Sequence, residues 1–361
     1  MAARSGCTTQ QDIPGEVKEL STAEEAERTD PDGPAPAVSV VIPVYNSENY
    51  VEQAIHSILD QTFRDMEVIV VNDGSTDRSG EVIKAIGDPR IRYIEQKNTG
   101  LPGALNTGLK AARAALIARH DHDDVALPTR IEEQVAYMQA HPEVGALGTW
   151  ATVTDMELRP RTALRHPTSH AYLRFFLLFD SPFVHPSMMF RRSVIGVTGP
   201  YLEDPAVYED LEMWTRMVRV TRVSNLPKEL MLYREIPTSI SRNSAREERL
   251  MEQRRRNFRH EFPAIPKAIL EKIIRAGMGM TSVSAHEFST MHTMLSKLMQ
   301  RYGGDATDQQ NMRAFAHSML SSFRIVPGKG RPARILDRLL KTRAFSRPVR
   351  QPWMDGKGQK P

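Results

Sequence analysis

Three carboxylates and two imidazoles fall within five consecutive residues, His120-Asp121-His122-Asp123-Asp124, directly after Arg119. The apolar run at 114–118 has the length of a short buried strand, and Pro128 bars a simple continuation. Strand alternation carried through the cluster would place Asp121 and Asp123 on one face and His120, His122 and Asp124 on the other. Each face suits a different metal. A pair of carboxylates holds a hard divalent cation, Mg²⁺ or Mn²⁺, completed by a diphosphate; such a cation offsets the charge that builds up as a nucleoside diphosphate leaves. A His-x-His-x-Asp face suits zinc and hydrolytic chemistry, although Val125 stands where a zinc hydrolase of that pattern has a further histidine.

Further candidates lie at the ends of other segments. Asp73 follows an apolar run and precedes Gly74 in Asn72-Asp73-Gly74-Ser75-Thr76-Asp77. An ionised carboxylate only accepts hydrogen bonds, so Asp73 could receive the imide N–H of a uracil or the N–H groups of a guanine. The plainer reading is an Asp-Gly turn with Asp77 capping the next helix. Glu209-Asp210 precedes the helically spaced stretch 211–220. Carboxylates there stabilise a helix N-terminus by roughly 0.3–1 kcal/mol; the sharper alternative makes Asp210 a general base that takes the proton of an attacking hydroxyl. Glu209 and His185 are candidate contacts to acceptor or phosphate, with a packed structural ring as the alternative for His185.

The elements that must position these residues alternate. Residues 38–42 read as a buried strand stopped by Pro43, and 50–61 have helical spacing. Strands are expected at 66–71, 91–94 and 116–119, with helices up to about Ile86 and at 105–114. Repeated strand–helix alternation predicts an α/β fold, a mostly parallel sheet flanked by helices, with ligands beyond the carboxyl ends of the strands. Beyond Pro128 the pattern predicts a helix ending near His141, a strand at 144–150 and a helix at 171–179. A loop and strand at 182–190, a loop at 196–205 and a helix at 211–220 follow. From about Ser244 only helices are suggested. The expected division is a disordered acidic leader at 1–37, the α/β domain at 38–250, a helical region at 251–326 and a basic, partly flexible tail at 327–361.

The formal charge of +4 hides an asymmetry: from Met251 onward Lys and Arg outnumber Asp and Glu by 21 to 8, a balance of +13, which leaves −9 for the first 250 residues. In the tail, Ile335, Leu336, Leu339, Leu340 and Phe345 interleave with Arg334, Arg338, Lys341 and Arg343, so a helix there would be basic and amphipathic and suited to an anionic membrane. The single cysteine, Cys7, excludes an internal disulfide. No run of about 18 apolar residues and no signal-like start is present. The expectation is a cytoplasmic protein with peripheral contact at the inner membrane face, not a nucleic-acid binder.

Several motifs in one order narrow the chemistry. Val38-Ser39-Val40-Val41-Ile42-Pro43-Val44-Tyr45-Asn46, then Val70-Val71-Asn72-Asp73-Gly74-Ser75-Thr76-Asp77, closely resemble the opening of family 2 glycosyltransferases with the GT-A fold. Asn98-Thr99-Gly100, Ala104-Leu105-Asn106, the Asp121 cluster, His185-Pro186-Ser187, Glu209-Asp210 with Trp214, and Leu232-Tyr233-Arg234 continue the resemblance to about residue 245. It implies that Pro43 and Tyr45 line a nucleotide pocket, Asp73 reads the base, Asp121 lies by the ribose and metal, Asp123 is the main metal ligand, and Asp210 is the base. Asn72 and Leu105 depart from an Asp and an Arg common in the family. The implied activity is inverting transfer of a sugar from a nucleotide-diphosphate donor, UDP-linked, to a hydroxyl of a glycan or lipid-linked acceptor in cell-surface polysaccharide or glycolipid synthesis. Two rivals are a non-catalytic GT-A module that binds a nucleotide sugar without turnover, and the His-x-His-x-Asp hydrolase.

Overall fold

Seven consecutive buried residues form β1 (Val38–Val44), and the next strand, β2 (Met66–Asn72), repeats the pattern, as expected of strands covered on both faces. The structure is a computed structural model describing residues 34–204, 208–236, 245–275, 281–321 and 323–326. Between the strands, α1 (Val51–Leu59) buries Val51, Ala54, Ile55, Ile58 and Leu59 along one stripe. Then come α2 (Ser79–Ile86), β3 (Ile91–Glu95), α3 (Gly100–Ala111) and β4 (Leu116–Arg119). These four strands pair in parallel, in the order β3-β2-β1-β4. Where α3 crosses β1, a Cβ on Gly108 would lie 2.2 Å from Val41 Cγ1, so only glycine permits the approach.

The sheet continues through β5 (Val125–Ala126), α4 (Arg130–Ala140), β6 (Val144–Thr154), β7 (Pro160–Leu164), α5 (His170–Phe176), β8 (Met189–Arg191), α6 (Arg192–Thr198), α7 (Glu209–Val220) and β9 (Arg222–Arg234). Strand order is β3-β2-β1-β4-β8-β6-β9-β5 with β7 on β6, nine strands among the described residues. This half is mixed: β6 and β9 are parallel, while the β4–β8, β6–β8, β6–β7 and β5–β9 pairs are antiparallel. Beyond it lie α8 (Ala245–Glu261), α9 (Lys267–Ile274), β10 (Thr281–Ser284), α10 (Ala285–Tyr302), α11 (Ala306–Ser321) and β11 (Phe323–Val326).

The α/β class, with helices towards the C-terminus, is as the sequence predicts; several details differ. Pro43 does not stop β1 but lies within it, opposite Val71. Val41 turns its carbonyl to His120 beside β4, and Pro43, two residues on, faces the same way past the end of that strand, where no ladder donor is needed. The predicted loop after β8 begins as α6 despite its β-branched residues, with Val194 packed inward. The long β9 escapes periodicity because Leu226 pairs with Thr149 and Glu229 with Trp150, leaving Pro227 and Lys228 in a bulge. The C-terminal region also holds a two-stranded parallel sheet, β10 with β11, which helical spacing alone does not predict. The expected division after residue 250 falls inside α8, whose Leu250 belongs to the cluster around Trp214 and whose Phe258 packs with α9, α10 and α11. Of the leader expected at 1–37, residues 1–33 lie outside the described residues, as does the tail at 327–361. No helix among the described residues is long and apolar enough to cross a membrane.

Candidate active site

The strand that carries the acidic cluster ends at Arg119, so residues 120–124 form a turn rather than a continuation of β4. Alternation therefore fails there, and Asp124 joins Asp121 and Asp123 instead of the histidines: one carboxylate oxygen from each lies within 4.8 Å of the others. Two ionised carboxylates at that separation repel by about 3 kcal/mol at an effective dielectric constant near 20. Two restraints hold the cluster. Asp121 pairs with the buried Arg119 guanidinium, and Asp124 Oδ1 accepts the backbone N–H of Arg234 at 2.8 Å. Asp124 Oδ2 is buried with no partner among the described residues. Burial, then the neighbouring carboxylates, push the Asp124 carboxyl well above its ordinary range. Three converging carboxylates, with an unpartnered oxygen on Asp124, fit a hard cation.

The histidines are engaged elsewhere. His120 is fully buried between Ser57 Oγ at 3.4 Å and Arg130 Nη1 at 3.3 Å, and burial holds its ring neutral. His122 Nδ1 lies 2.8 Å from Ser47 Oγ. Among the described residues, the three aspartates are the one cluster with metal-ligating spacing, so the His-x-His-x-Asp face does not assemble.

A cavity of about 1270 Å³ runs along the carboxyl ends of β1, β2 and β4. One end is lined by Pro43, Tyr45, Asp73, Asn98 and Gly100, with the Tyr45 ring 46% exposed. Asp73 Oδ1 accepts from Gln96 Nε2 (2.7 Å), Thr99 N (2.9 Å) and Thr99 Oγ1 (3.2 Å), and Oδ2 from Gly100 N (2.9 Å). The carboxylate thus anchors the N-terminus of α3 and keeps spare acceptor capacity chiefly on Oδ2. Gly74, at φ +71°, brings the chain so near Asn98 that a Cβ would meet its backbone N at 2.8 Å. Asn72, in place of the usual Asp, holds the turn by accepting from Ser75 N (3.1 Å) and donating to Tyr93 (2.9 Å). Leu105, in place of an Arg, is 1% exposed within the core. Asp77 accepts from Ser79 N (3.0 Å) and from Glu48 N (3.0 Å), joining the loops after β1 and β2.

Across the cavity, Glu209 and Asp210 open α7. Asp210 is 7% exposed; its Oδ1 accepts from Leu211 N (2.5 Å) and its Oδ2 from Ser181 Oγ (3.3 Å). His185 faces Tyr201 Oη at 3.0 Å and stacks edge-on against Trp214 at 5.5 Å. Burial, helped by the Arg119 charge, keeps this imidazole neutral. Asn106 fixes Tyr201 by bonding both its backbone N–H and its carbonyl at 2.9 Å. Asp121, Asp123, Asp73, Pro43, Tyr45, His185, Glu209 and Asp210, singled out along more than 160 residues of sequence, therefore all line one cavity.

Residues 39–197 match the profile of glycosyl transferase family 2. The amylovoran biosynthesis glycosyltransferase AmsE of Erwinia amylovora is 34% identical over 206 residues, which cover 54% of this chain and 75% of that protein. This chain belongs to glycosyltransferase family 2. An uncharacterized family relative in Haemophilus influenzae is 30% identical over 217 residues, 55% of this chain and 65% of its own length, so the match spans just under two thirds of that protein. In fold, the chain is similar to S. aureus TarS 1–349, solved in complex with UDP-GlcNAc, at a TM-score of 0.52 and 18% identity, covering 78% of this chain and 81% of that one. The likeness extends the GT-A fold beyond the segment that the family profile matches.

Residues missed by sequence reasoning in this family 2 enzyme lie both near the end of the matched segment and beyond it. The far arm of the cavity is lined by His166, Phe176, Phe179, Arg249, Phe315 and Met319, from the β7–α5 loop, α5, the segment after it, α8 and α11. In α8, Arg254 donates to Phe179 O (2.5 Å) and Asn257 to Leu177 O (2.9 Å). These bonds fix the segment that carries Ser181 against Asp210. Polar side chains at helical spacing otherwise read as a solvated face, so the sequence carries no signal for them.

Proposed function

We propose that the protein is an inverting glycosyltransferase that moves a sugar from a UDP-linked donor to a hydroxyl of a glycan or lipid-linked acceptor. The observation that carries this reading is the placement of Asp121 and Asp123, two members of the carboxylate cluster, and of Asp210 on the same cavity, whose volume of about 1270 Å³ exceeds the ~300–1,000 Å³ of an ordinary small-molecule pocket and leaves room for donor and acceptor together. Asp121, Asp123 and Asp124 would hold Mg²⁺ or Mn²⁺, which when bound neutralises charge on the departing diphosphate.

Pro43 and the exposed Tyr45 ring flank the base, and Asp73 Oδ2 accepts its imide N–H. Asp210 takes the proton of the acceptor hydroxyl as that oxygen attacks the anomeric carbon. The bond from that carbon to the diphosphate oxygen breaks on the opposite side, its electron pair leaving with the nucleotide, so configuration inverts. Ser181 Oγ and the Leu211 N–H donate to the Asp210 carboxylate and orient it. Neutral His185, backed by Trp214, offers a hydrogen bond to acceptor or phosphate without adding charge.

The Erwinia relative's role in amylovoran biosynthesis supports a polysaccharide product. UDP-GlcNAc, the ligand of the fold relative, is the first donor to test. The test is release of UDP from a panel of UDP-sugars with Mn²⁺ and with EDTA; turnover with Mn²⁺ alone is expected. Absence of nucleotide release from every donor, despite donor binding, would instead assign a binding module.

A further inference from the structure

Arg119 is 2% exposed, yet its guanidinium makes one ion pair, through Nη2 to Asp121 Oδ1. Its Nε and Nη1 are shielded from solvent and have no partner among the described residues. Burying a guanidinium with two of its three nitrogens unpaired weakens a fold unless the charge has another use. The main chain around it is fixed on both sides. Arg119 N donates to Met188 O at 2.8 Å, and Arg119 O accepts from Arg130 Nη2 at 2.6 Å. Arg130 is itself fully buried and braced by Gln134 Oε1 at 3.1 Å. Asp121, by contrast, sits in a turn beside two like charges that favour its rotation away from them. Asp124 has a backbone N–H to hold it; the restraint on Asp121 is the buried cation.

We infer that Arg119 is a positioning residue, which keeps the Asp121 carboxylate turned into the cluster so that the cation site is formed before the cation arrives. The inference rests on the cation reading above. Charge and position act in opposite directions here. A fixed positive charge beside a cation site weakens binding by repulsion, so if Arg119 acted by charge alone its removal would tighten the site. If it acts by holding Asp121, removal loosens it.

The experiment is titration of the full chain with Mn²⁺, followed by calorimetry and by the electron paramagnetic resonance of free Mn²⁺, with UDP absent and then present. Arg119→Met is expected to weaken Mn²⁺ binding about 10–100-fold, as loss of an orienting partner does at metal sites. Arg119→Lys keeps the charge but lacks the planar fork and is expected to lose about tenfold; it carries the test should Arg119→Met not fold. In an Asp121→Asn background either substitution should have no further effect, because the link it acts through is gone. Unchanged or tighter Mn²⁺ binding in a folded Arg119 variant, or a loss that adds to that of Asp121→Asn, overturns the inference and leaves the proposed function standing. Failure of the unsubstituted protein to bind Mn²⁺, with or without UDP, overturns the cation reading itself and this inference with it.

Discussion

The three-carboxylate cluster should place stability and metal binding in opposition, and Asp124→Asn measures that opposition directly. Asp124 is 1% exposed and lies within 4.8 Å of two other carboxylate oxygens. With no cation present, each ionised pair contributes about 3 kcal/mol of gross repulsion. Proton uptake by the buried carboxyls and solvent around the more exposed Asp121 relieve much of it, leaving a net destabilisation of about 1–3 kcal/mol. Asparagine keeps the oxygen that accepts from Arg234 N. It also replaces the unpartnered Oδ2 with an amide that can donate to Asp121 or Asp123. The variant in EDTA should therefore melt a few degrees above the unsubstituted protein. With Mn²⁺ added, the unsubstituted protein should gain stability by mass action while the variant gains little. Differential scanning calorimetry under both conditions checks this. A lower melting temperature for Asp124→Asn in EDTA, or an undiminished response to Mn²⁺, would refute the reasoning.

Four further outcomes are expected. Asp210→Asn should keep UDP and Mn²⁺ binding while transfer falls about 10²–10⁴-fold, the usual contribution of a general base; stopped-assay kinetics with near-normal transfer would remove Asp210 from that role. Trp214 is 1% exposed against Phe183, His185 and Tyr201, so Trp214→Ala should cost about 3–5 kcal/mol in chemical denaturation. Trp214→Phe should cost less than about 2 kcal/mol, because the indole N–H has no partner among the described residues to lose. His170 is held neutral at about 3, by burial and then by Arg174 and Arg222, and its Nδ1 accepts from Val223 N at 3.2 Å. A depressed folded-state value means its contribution is intact above pH 6.5 and lost as pH falls towards 3, about 1–2 kcal/mol being gone by pH 5. His166, lowered to about 4 by burial, acts in the same direction. Melts from pH 7.5 to 5 should therefore slope downward and flatten in His170→Gln; equal slopes would contradict the assignment. Finally, removal of residues 327–361 should abolish flotation with anionic vesicles, and equal flotation of both forms would dispose of the membrane contact.

How much of this was legible in the chain depended on whether the information was local. The run Val38-Ser39-Val40-Val41-Ile42 and its counterpart in β2 announce buried strands because every residue is covered, and the alternation with helices follows from it. The long β9 was illegible because its bulge at Pro227 and Lys228 breaks the period of two, and tertiary pairing with β6 overrides that break. The same limit applies at the site. Asp121 and Asp123 stand out by spacing, but the membership of Asp124 depends on where β4 ends, and that is set by its neighbours. β4 pairs with β8 only from Leu116 to Ala118 and with β1 only to Arg119. A strand that ran on through residue 124 would have sent Asp124 to the opposite face. The turn that follows Arg119 is thus what converts alternating residues into converging ones. The buried guanidinium at that same position ties the first of them in place, so the end of the strand and the start of the chemistry are one structural event.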